Sequence, residues 1–126
     1  MNLLLVTAAV LTMAIGIAHS WLGERYIISR VLRRDDLPKL FGDDTFTRQT
    51  LRFAWHLTTV AWFGLAAVLL VLSGILTGVR VSDGLIFAIA QTFIVSAILA
   101  LILTRGRHLS WIVFAAISAL CLLALG

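Results

Sequence analysis

The chain has 126 residues, of which 61% are hydrophobic and only 13% are charged, whereas soluble globular domains contain about a quarter charged residues. Its formal net charge is +4. The basic residues stand between long apolar runs, which is typical of a multispanning membrane protein and speaks against a nucleic-acid partner. The single cysteine, Cys121, excludes an internal disulfide framework and a cysteine metal cluster. The composition therefore predicts one all-α integral membrane domain over residues 1–126.

The first apolar run, residues 2–20, is long enough for a nearly upright membrane span. Small side chains recur in it every four residues, at Ala8, Thr12, Gly16 and Ser20. This spacing allows a second helix to approach closely in lipid. Because the arginines follow the run instead of preceding it, we interpret it as a retained span and not as a signal peptide. Beyond Gly23 arginines alternate with apolar residues, which predicts an amphipathic extension that continues the span or bends into the interface.

Three further spans are predicted over residues 53–77, 85–104 and 108–125, which together with the first predict a four-transmembrane-helix bundle in the lipid bilayer. The residues Asp43-Asp44-Thr45 indicate a helix start before the second span, since carboxylates are favoured near a helix N-terminus. The third span carries a stripe of small side chains at Gly84, Ala88, Thr92, Ser96, Ala100 and Thr104. Such a stripe favours close helix contact, within the bundle, in a homo-oligomer or with another membrane protein.

Basic residues are distributed unevenly between the two sides of the predicted membrane domain. Of the ten lysine and arginine residues, all but Arg80 lie at the connection between spans three and four, or in and beside the loop over residues 21–50. The positive-inside rule places this arginine-rich side in the cytoplasm. Both chain ends are then expected outside the cytoplasm. The small size and short loops favour a bacterial inner membrane.

Three histidines, His19, His56 and His108, lie near the arginine-rich ends of three different spans. His19 and His108 are each 18 residues from a chain end, or about 27 Å along a helix from the outer surface. His56 lies at a similar depth in the second span. A four-helix bundle can bring such a layer of side chains together at its centre, as metal and cofactor sites in bundles do.

The first interpretation of this layer is a metal site. Three imidazoles with an open fourth position are typical of catalytic zinc, and predict a metal-dependent enzyme or a metal-handling protein that binds zinc or another divalent ion. Two histidines with Glu24 would instead give the two-histidine and one-carboxylate arrangement of non-haem iron. Because Glu24 follows His19 by five residues, joint ligation by these two requires either a helix break at Gly23 or an approach of Glu24 from another direction. The hydroxyl groups predicted to orient the rings belong to Ser20, Thr59 and Ser110.

Two other interpretations remain open. In one, two histidines are axial ligands of haem b in an electron-transfer subunit, and Arg52, Arg105 and Arg107 bind the propionates. In the other, the protein is a non-catalytic packing or assembly subunit, whose histidines and tryptophans only anchor the membrane boundary. The sequence does not identify a catalytic residue, a substrate or a reaction.

Overall fold

The computed structural model describes all residues from Met1 to Gly126 and confirms the all-helical class, with 75% helix and no strands. Four helices form the fold: α1 Leu3–Val31, α2 Thr45–Leu72, α3 Val81–Leu103 and α4 Ser110–Leu123. The first three are long and apolar enough to cross a membrane. The 14 residues of α4 extend over about 21 Å, which is shorter than a hydrocarbon core of about 30 Å.

Local chemistry explains where the helices begin. Asn2 caps α1, because its side-chain oxygen accepts hydrogen bonds from the backbone N–H groups of Leu4 and Leu5. The predicted helix start before the second span is confirmed: α2 begins at Thr45, whose N–H donates to the Asp43 carboxylate at 3.0 Å. The amphipathic extension continues α1 as one helix to Val31 and does not bend away from it.

The first two helices extend beyond the predicted spans at the arginine-rich side, because hydropathy marks apolar length and not helical length. Thus α2 begins well before residue 53. It ends at Leu72, earlier than the predicted end at residue 77. Just after this end, Gly74 takes a positive φ of 72°. Residues with a Cβ rarely adopt this backbone conformation, so Gly74 allows the chain to leave the helix.

Each helix packs against its neighbour in the chain, so the four helices stand in a row. The contacts are α1 with α2, α2 with α3 and α3 with α4, and there is no helix contact between α1 and α4. The predicted four-helix bundle is therefore not confirmed, since a closed bundle would bring the first and last helices together. The two outer helices, α1 and α4, therefore each have one side without a helix neighbour.

Small residues permit the close contacts within the row, as the two stripes predict. On α1, Gly16 is buried against Phe63 of α2, and a Cβ at Gly16 would lie only 2.9 Å from that ring. Gly64 of α2 leaves no room for a side chain because Thr92 of α3 fills the space. The stripe on α3 is buried at five of its six positions: Gly84, Ala88, Ser96, Ala100 and Thr104. Large apolar side chains are exposed on all four helices, which is consistent with contact with a lipid bilayer.

The two ends of the helices, along their length, differ in their chemistry. At one end the Asn2 N–H donates to the Ser73 carbonyl at 2.7 Å, so the N-terminus lies beside the connection between α2 and α3. Leu125 contributes to a cavity at this same end together with Leu76. At the opposite end, residues 32–44 and the turn over residues 104–109 connect the helices. We call this second end the arginine-rich end.

Candidate functional site: a polar chain between two helices

Two helix faces that carry polar side chains meet between α1 and α2. On α1, Ser20 and Glu24 are four residues apart and therefore lie on one face. On α2, Arg52, His56 and Thr59 follow one another at intervals of four and three residues, which also places them on one face. The packing of α1 against α2 brings the two faces together.

These five side chains form a continuous series of contacts, which we call the polar chain. Glu24 joins its two basic members, with Oε1 2.8 Å from Arg52 Nη2 and Oε2 3.1 Å from His56 Nε2. The second ring nitrogen of His56, Nδ1, lies 2.8 Å from Ser20 Oγ. Ser20 Oγ is in turn 2.8 Å from Thr59 Oγ1. His56 is therefore held at both ring nitrogens, between a carboxylate and a hydroxyl group.

The polar chain runs from the protein surface into the interior of the row. At its outer end the side chains of Arg52 and Glu24 are 42% and 36% exposed. At its inner end Thr59 is buried, and its hydroxyl oxygen lies 3.3 Å from the Gly16 carbonyl oxygen, close enough to donate a hydrogen bond to it. Glu24 and Gly16 are separated by about two turns of α1, or about 12 Å. Phe63 packs against Gly16, so the series of polar contacts stops there.

The direction of the inner hydrogen bonds depends on the charge of His56. A carboxylate accepts hydrogen bonds and does not donate them, so the ring nitrogen that faces Glu24 carries a hydrogen in either state. Neutral His56 accepts at Nδ1 from the Ser20 hydroxyl, which then accepts from Thr59. Charged His56 instead donates to Ser20, Ser20 donates to Thr59, and Thr59 donates to Gly16. One proton thus reverses every hydrogen bond inward of His56.

Gly23 and a π-helical turn position Glu24. The backbone of α1 widens to a π-helix over Glu24–Ile28, after which the Ser29 N–H reaches the Glu24 carbonyl five residues back. Gly23, just before this turn, lies against the indole ring of Trp55, where a Cβ would collide with the ring. Such π-helical turns occur frequently at functional sites. Here the turn lies directly beside the polar chain.

His19 packs against two tryptophan rings of α2 and does not join the polar chain. Its ring stacks on Trp55, with centroids 4.5 Å apart and an interplanar angle of 5°. The Trp62 ring lies 5.0 Å away at a tilted angle. The indole N–H of Trp55 also donates to the His19 carbonyl at 3.2 Å. These contacts fix His19 as part of an aromatic cluster between the two helices.

His108 occupies a third, separate environment in the turn before α4. Its Nδ1 lies 2.8 Å from Ser110 Oγ. The ring stacks on Phe46, with centroids 5.9 Å apart, and lies 5.6 Å from the ring of Phe53. The three histidines therefore share the arginine-rich end but have different neighbours.

The predicted metal ligands do not come together. No group of three or more His, Cys, Asp or Glu side chains is arranged to hold a metal ion. His19 belongs to α1 and His108 precedes α4, and these two helices are not in contact. Of the four predicted ligands only His56 and Glu24 meet, and both Glu24 oxygens already contact Arg52 or His56. The residues do not fit a three-histidine zinc centre or a two-histidine and carboxylate centre, and metal binding stays an untested prediction.

The residues predicted for haem b do not form a shared site either. Arg52 and Arg105 line one cleft, but neither Arg107 nor any histidine lines it. Both ring nitrogens of His56 are engaged by protein side chains. An axial ligand needs a free ring nitrogen directed at the cofactor, which His56 does not have. His19 and His108 lie on α1 and before α4, which are not in contact, and haem binding stays an untested prediction.

The sequence names every member of the polar chain but does not predict their association. The prediction that Ser20 and Ser110 orient histidine rings agrees with their contacts to His56 and His108. The contacts of Glu24 with Arg52 and His56 are absent from the prediction, which considers Glu24 only as a metal ligand beside His19. The signal that could have found it is the pair of polar faces, one on each helix, at the same distance from the arginine-rich end.

Comparisons with known proteins identify no relative of this chain. No family model matches it, and no match is found among curated proteins or solved structures. The proposals below therefore rest on the geometry of the residues described above.

Proposed function

We propose that this protein is a proton-responsive integral membrane protein, in which the polar chain takes up and releases one proton at His56. It has four spans in a bacterial inner membrane, with the arginine-rich end in the cytoplasm and both described chain ends outside. The positive-inside rule supports this orientation. The fourth span, α4, is short, and local thinning of the bilayer can accommodate a short helix at modest cost.

The observation that carries this proposal is the contact of His56 with a carboxylate at one ring nitrogen and a hydroxyl at the other. Histidine is the side chain whose charge ordinarily changes between about pH 5 and 8. The charged and neutral forms of His56 both have complete hydrogen-bond partners here. Only the charged form also allows Thr59 to donate to Gly16, so protonation adds a hydrogen bond between α1 and α2.

The inner end of the polar chain favours a switch over a proton channel. A channel needs polar groups or water to continue across the membrane, whereas here the series stops at Gly16 beside the Phe63 ring. A proton that enters from the arginine-rich end therefore leaves by the same route. Its effect is to change how firmly α1 and α2 are joined.

Magnetic resonance of protein labelled with ¹⁵N in its histidines tests the proposal directly. We expect the nitrogen signals of the His56 ring to change from those of the neutral form to those of the charged form as the pH is lowered. The wild type should also melt at a higher temperature at pH 5.5 than at pH 8, because protonation completes the hydrogen bonds to Gly16. His56→Gln should abolish the difference, whereas His108→Gln, the matched control away from the polar chain, should retain it. A His56 ring that stays neutral throughout would overturn the proposal.

A second candidate function is nucleophilic catalysis by Ser20. The series Ser20, His56 and Glu24 has the order of nucleophile, base and orienting carboxylate, with contacts of 2.8 and 3.1 Å. The two cavities that flank this region are not lined by Ser20, which gives a substrate no evident approach and makes this the second choice. A fluorophosphonate probe should label wild type and not Ser20→Ala if Ser20 is a nucleophile. Equal labelling of the two proteins would exclude it.

The orientation has its own test. A periplasm-active reporter fused after Gly126 should be active, and a cytoplasm-active reporter at the same position should not be. The reverse result would place the arginine-rich end, and with it the polar chain, outside the cytoplasm.

A further inference from the structure

A cleft of about 560 Å³ opens at the arginine-rich end, beside the outer end of the polar chain. Four arginines contribute to its wall: Arg33, Arg48, Arg52 and Arg105. They come from the turn after α1, from α2 and from the turn after α3. These segments are far apart in the sequence, so the fold collects their guanidinium groups around one space.

The cleft carries an excess of positive charge. Glu24 pairs with Arg52 and Asp44 pairs with Arg48. No carboxylate lies within 4.0 Å of Arg33 or Arg105. Two of the four guanidinium groups are therefore paired with carboxylates, and those of Arg33 and Arg105 have no ion-pair partner. Like charges collected in this way favour an anionic ligand.

The wall also contains polar groups without a partner. Gln49 Oε1 and Arg52 Nε are both buried and make no hydrogen bond, and both residues line the cleft. Buried polar atoms nearly always have a hydrogen-bond partner. Neither atom is exposed to the cleft in this arrangement, so a small shift of the Arg52 or Gln49 side chain is needed before a ligand there could bind it.

Apart from Ser29, the remaining wall of the cleft is apolar. Leu32, Ile102 and Leu103 line it, and Ile102 is 65% exposed. A ligand that combines anionic oxygens with an apolar part would contact both halves of the cleft. The cleft thus differs from a purely solvated patch of arginines, which would lack the apolar wall.

We infer that this cleft binds an anionic phosphate group. The planar guanidinium group of arginine matches the oxygens of a phosphate in bidentate geometry and remains charged at all relevant pH values. At this position the phosphate comes either from the headgroup of an anionic phospholipid or from a free phosphate compound. The inference does not depend on proton uptake by His56, because Arg33 and Arg105 are outside the polar chain.

The best variant to test this is Arg33→Gln/Arg105→Gln. Both residues lack a carboxylate partner, so their substitution leaves no buried negative charge unpaired, unlike substitution of Arg52 or Arg48. Arg80→Gln is the matched control, since Arg80 is a surface arginine at the opposite end of the row. Unchanged helical content and melting temperature would confirm that each variant is folded.

Two probes distinguish the sources of the phosphate. Native mass spectrometry would measure retention of phosphatidylglycerol against phosphatidylcholine, and calorimetry in detergent would measure binding of inorganic phosphate. We expect the double variant to bind the recognised probe at least about tenfold more weakly, and Arg80→Gln to bind it like wild type. Selective retention of phosphatidylglycerol alone identifies a lipid headgroup, and binding of inorganic phosphate identifies a free phosphate compound. Equal binding of both probes by wild type and double variant, or no binding of either probe to wild type, would overturn the inference.

Discussion

The contact between Glu24 and His56 should be stronger when His56 is charged, and a double-mutant cycle measures this directly. The cycle compares wild type, Glu24→Gln, His56→Gln and the double variant at pH 5.5 and pH 8. Arg52 is present in all four proteins, so its own contact with Glu24 largely cancels in the cycle. What remains is the interaction free energy of Glu24 with His56.

The expected magnitude follows from the geometry. The two side chains approach to 3.1 Å, with 22% of His56 and 36% of Glu24 exposed. A hydrogen bond between a carboxylate and a neutral imidazole contributes about 1 kcal/mol in such a position, and a charged pair about 2 kcal/mol after allowance for screening by solvent. We therefore expect the interaction free energy to fall by about half as the pH rises from 5.5 to 8.

Thermal unfolding in detergent provides the measurement. For a domain of this size, 1 kcal/mol corresponds to a change of about 3–5 °C in melting temperature, so the difference between the two pH values is measurable. An interaction free energy near zero at both pH values would show that the two side chains do not contact each other. A value that is substantial but the same at both pH values would show that His56 does not change its charge.

Four further outcomes are expected. Ala100→Leu should lower the melting temperature by about 3–15 °C, because Ala100 is completely buried in the small-residue stripe and overpacking costs about 1–3 kcal/mol. Exposed Val95→Leu is the control, and equal melting of the two variants would contradict the packing. Gly23→Ala should displace the Trp55 ring and quench or shift its fluorescence, and an unchanged spectrum would show that the helix accommodates the methyl group. The hydrogen bond from the Arg34 side chain lowers the pKa of Asp36 from 3.8 to about 2. This ion pair should therefore persist above pH 4 and be lost as the pH falls through about 2. An Asp36 carboxyl resonance that titrates near 3.8 would show that the pair does not form. Elemental analysis of protein purified without chelator should show less than one equivalent of zinc, copper or iron per chain. A full equivalent of metal that is lost on substitution of any of the three histidines would instead support the three-histidine metal site.

The sequence predicts depth in the membrane better than lateral position. The distance of His19, His56 and His108 from the arginine-rich end follows from counting residues along helices, and all three do lie at that end. Which helices touch is decided by side-chain packing around α2, and the row keeps α1 away from α4. The shared layer of histidines was therefore predictable, whereas their separation into three environments was not.

Helix contacts were predictable where a single residue type determines them. The four-residue spacing of small side chains predicted close approach at two stripes, and one member of each, Gly16 and Thr92, indeed lies against a residue of α2. The stacking of His19 on Trp55 depends instead on the absence of a side chain at Gly23. No periodic sequence pattern predicts this contact, because it joins one glycine to one tryptophan on different helices.

Arg52 belongs to both proposed sites, and this links them physically. It holds the Glu24 carboxylate at 2.8 Å and also lines the cleft. An anion bound in the cleft would attract Arg52 and compete with its ion pair to Glu24, which would leave more of the carboxylate's negative charge for His56. Binding of the anion and protonation of His56 would then favour each other, and thermodynamic linkage requires the effect to be equal in both directions. A protein with this arrangement would bind its anionic ligand more tightly when protons are abundant, without any contact between the ligand and His56.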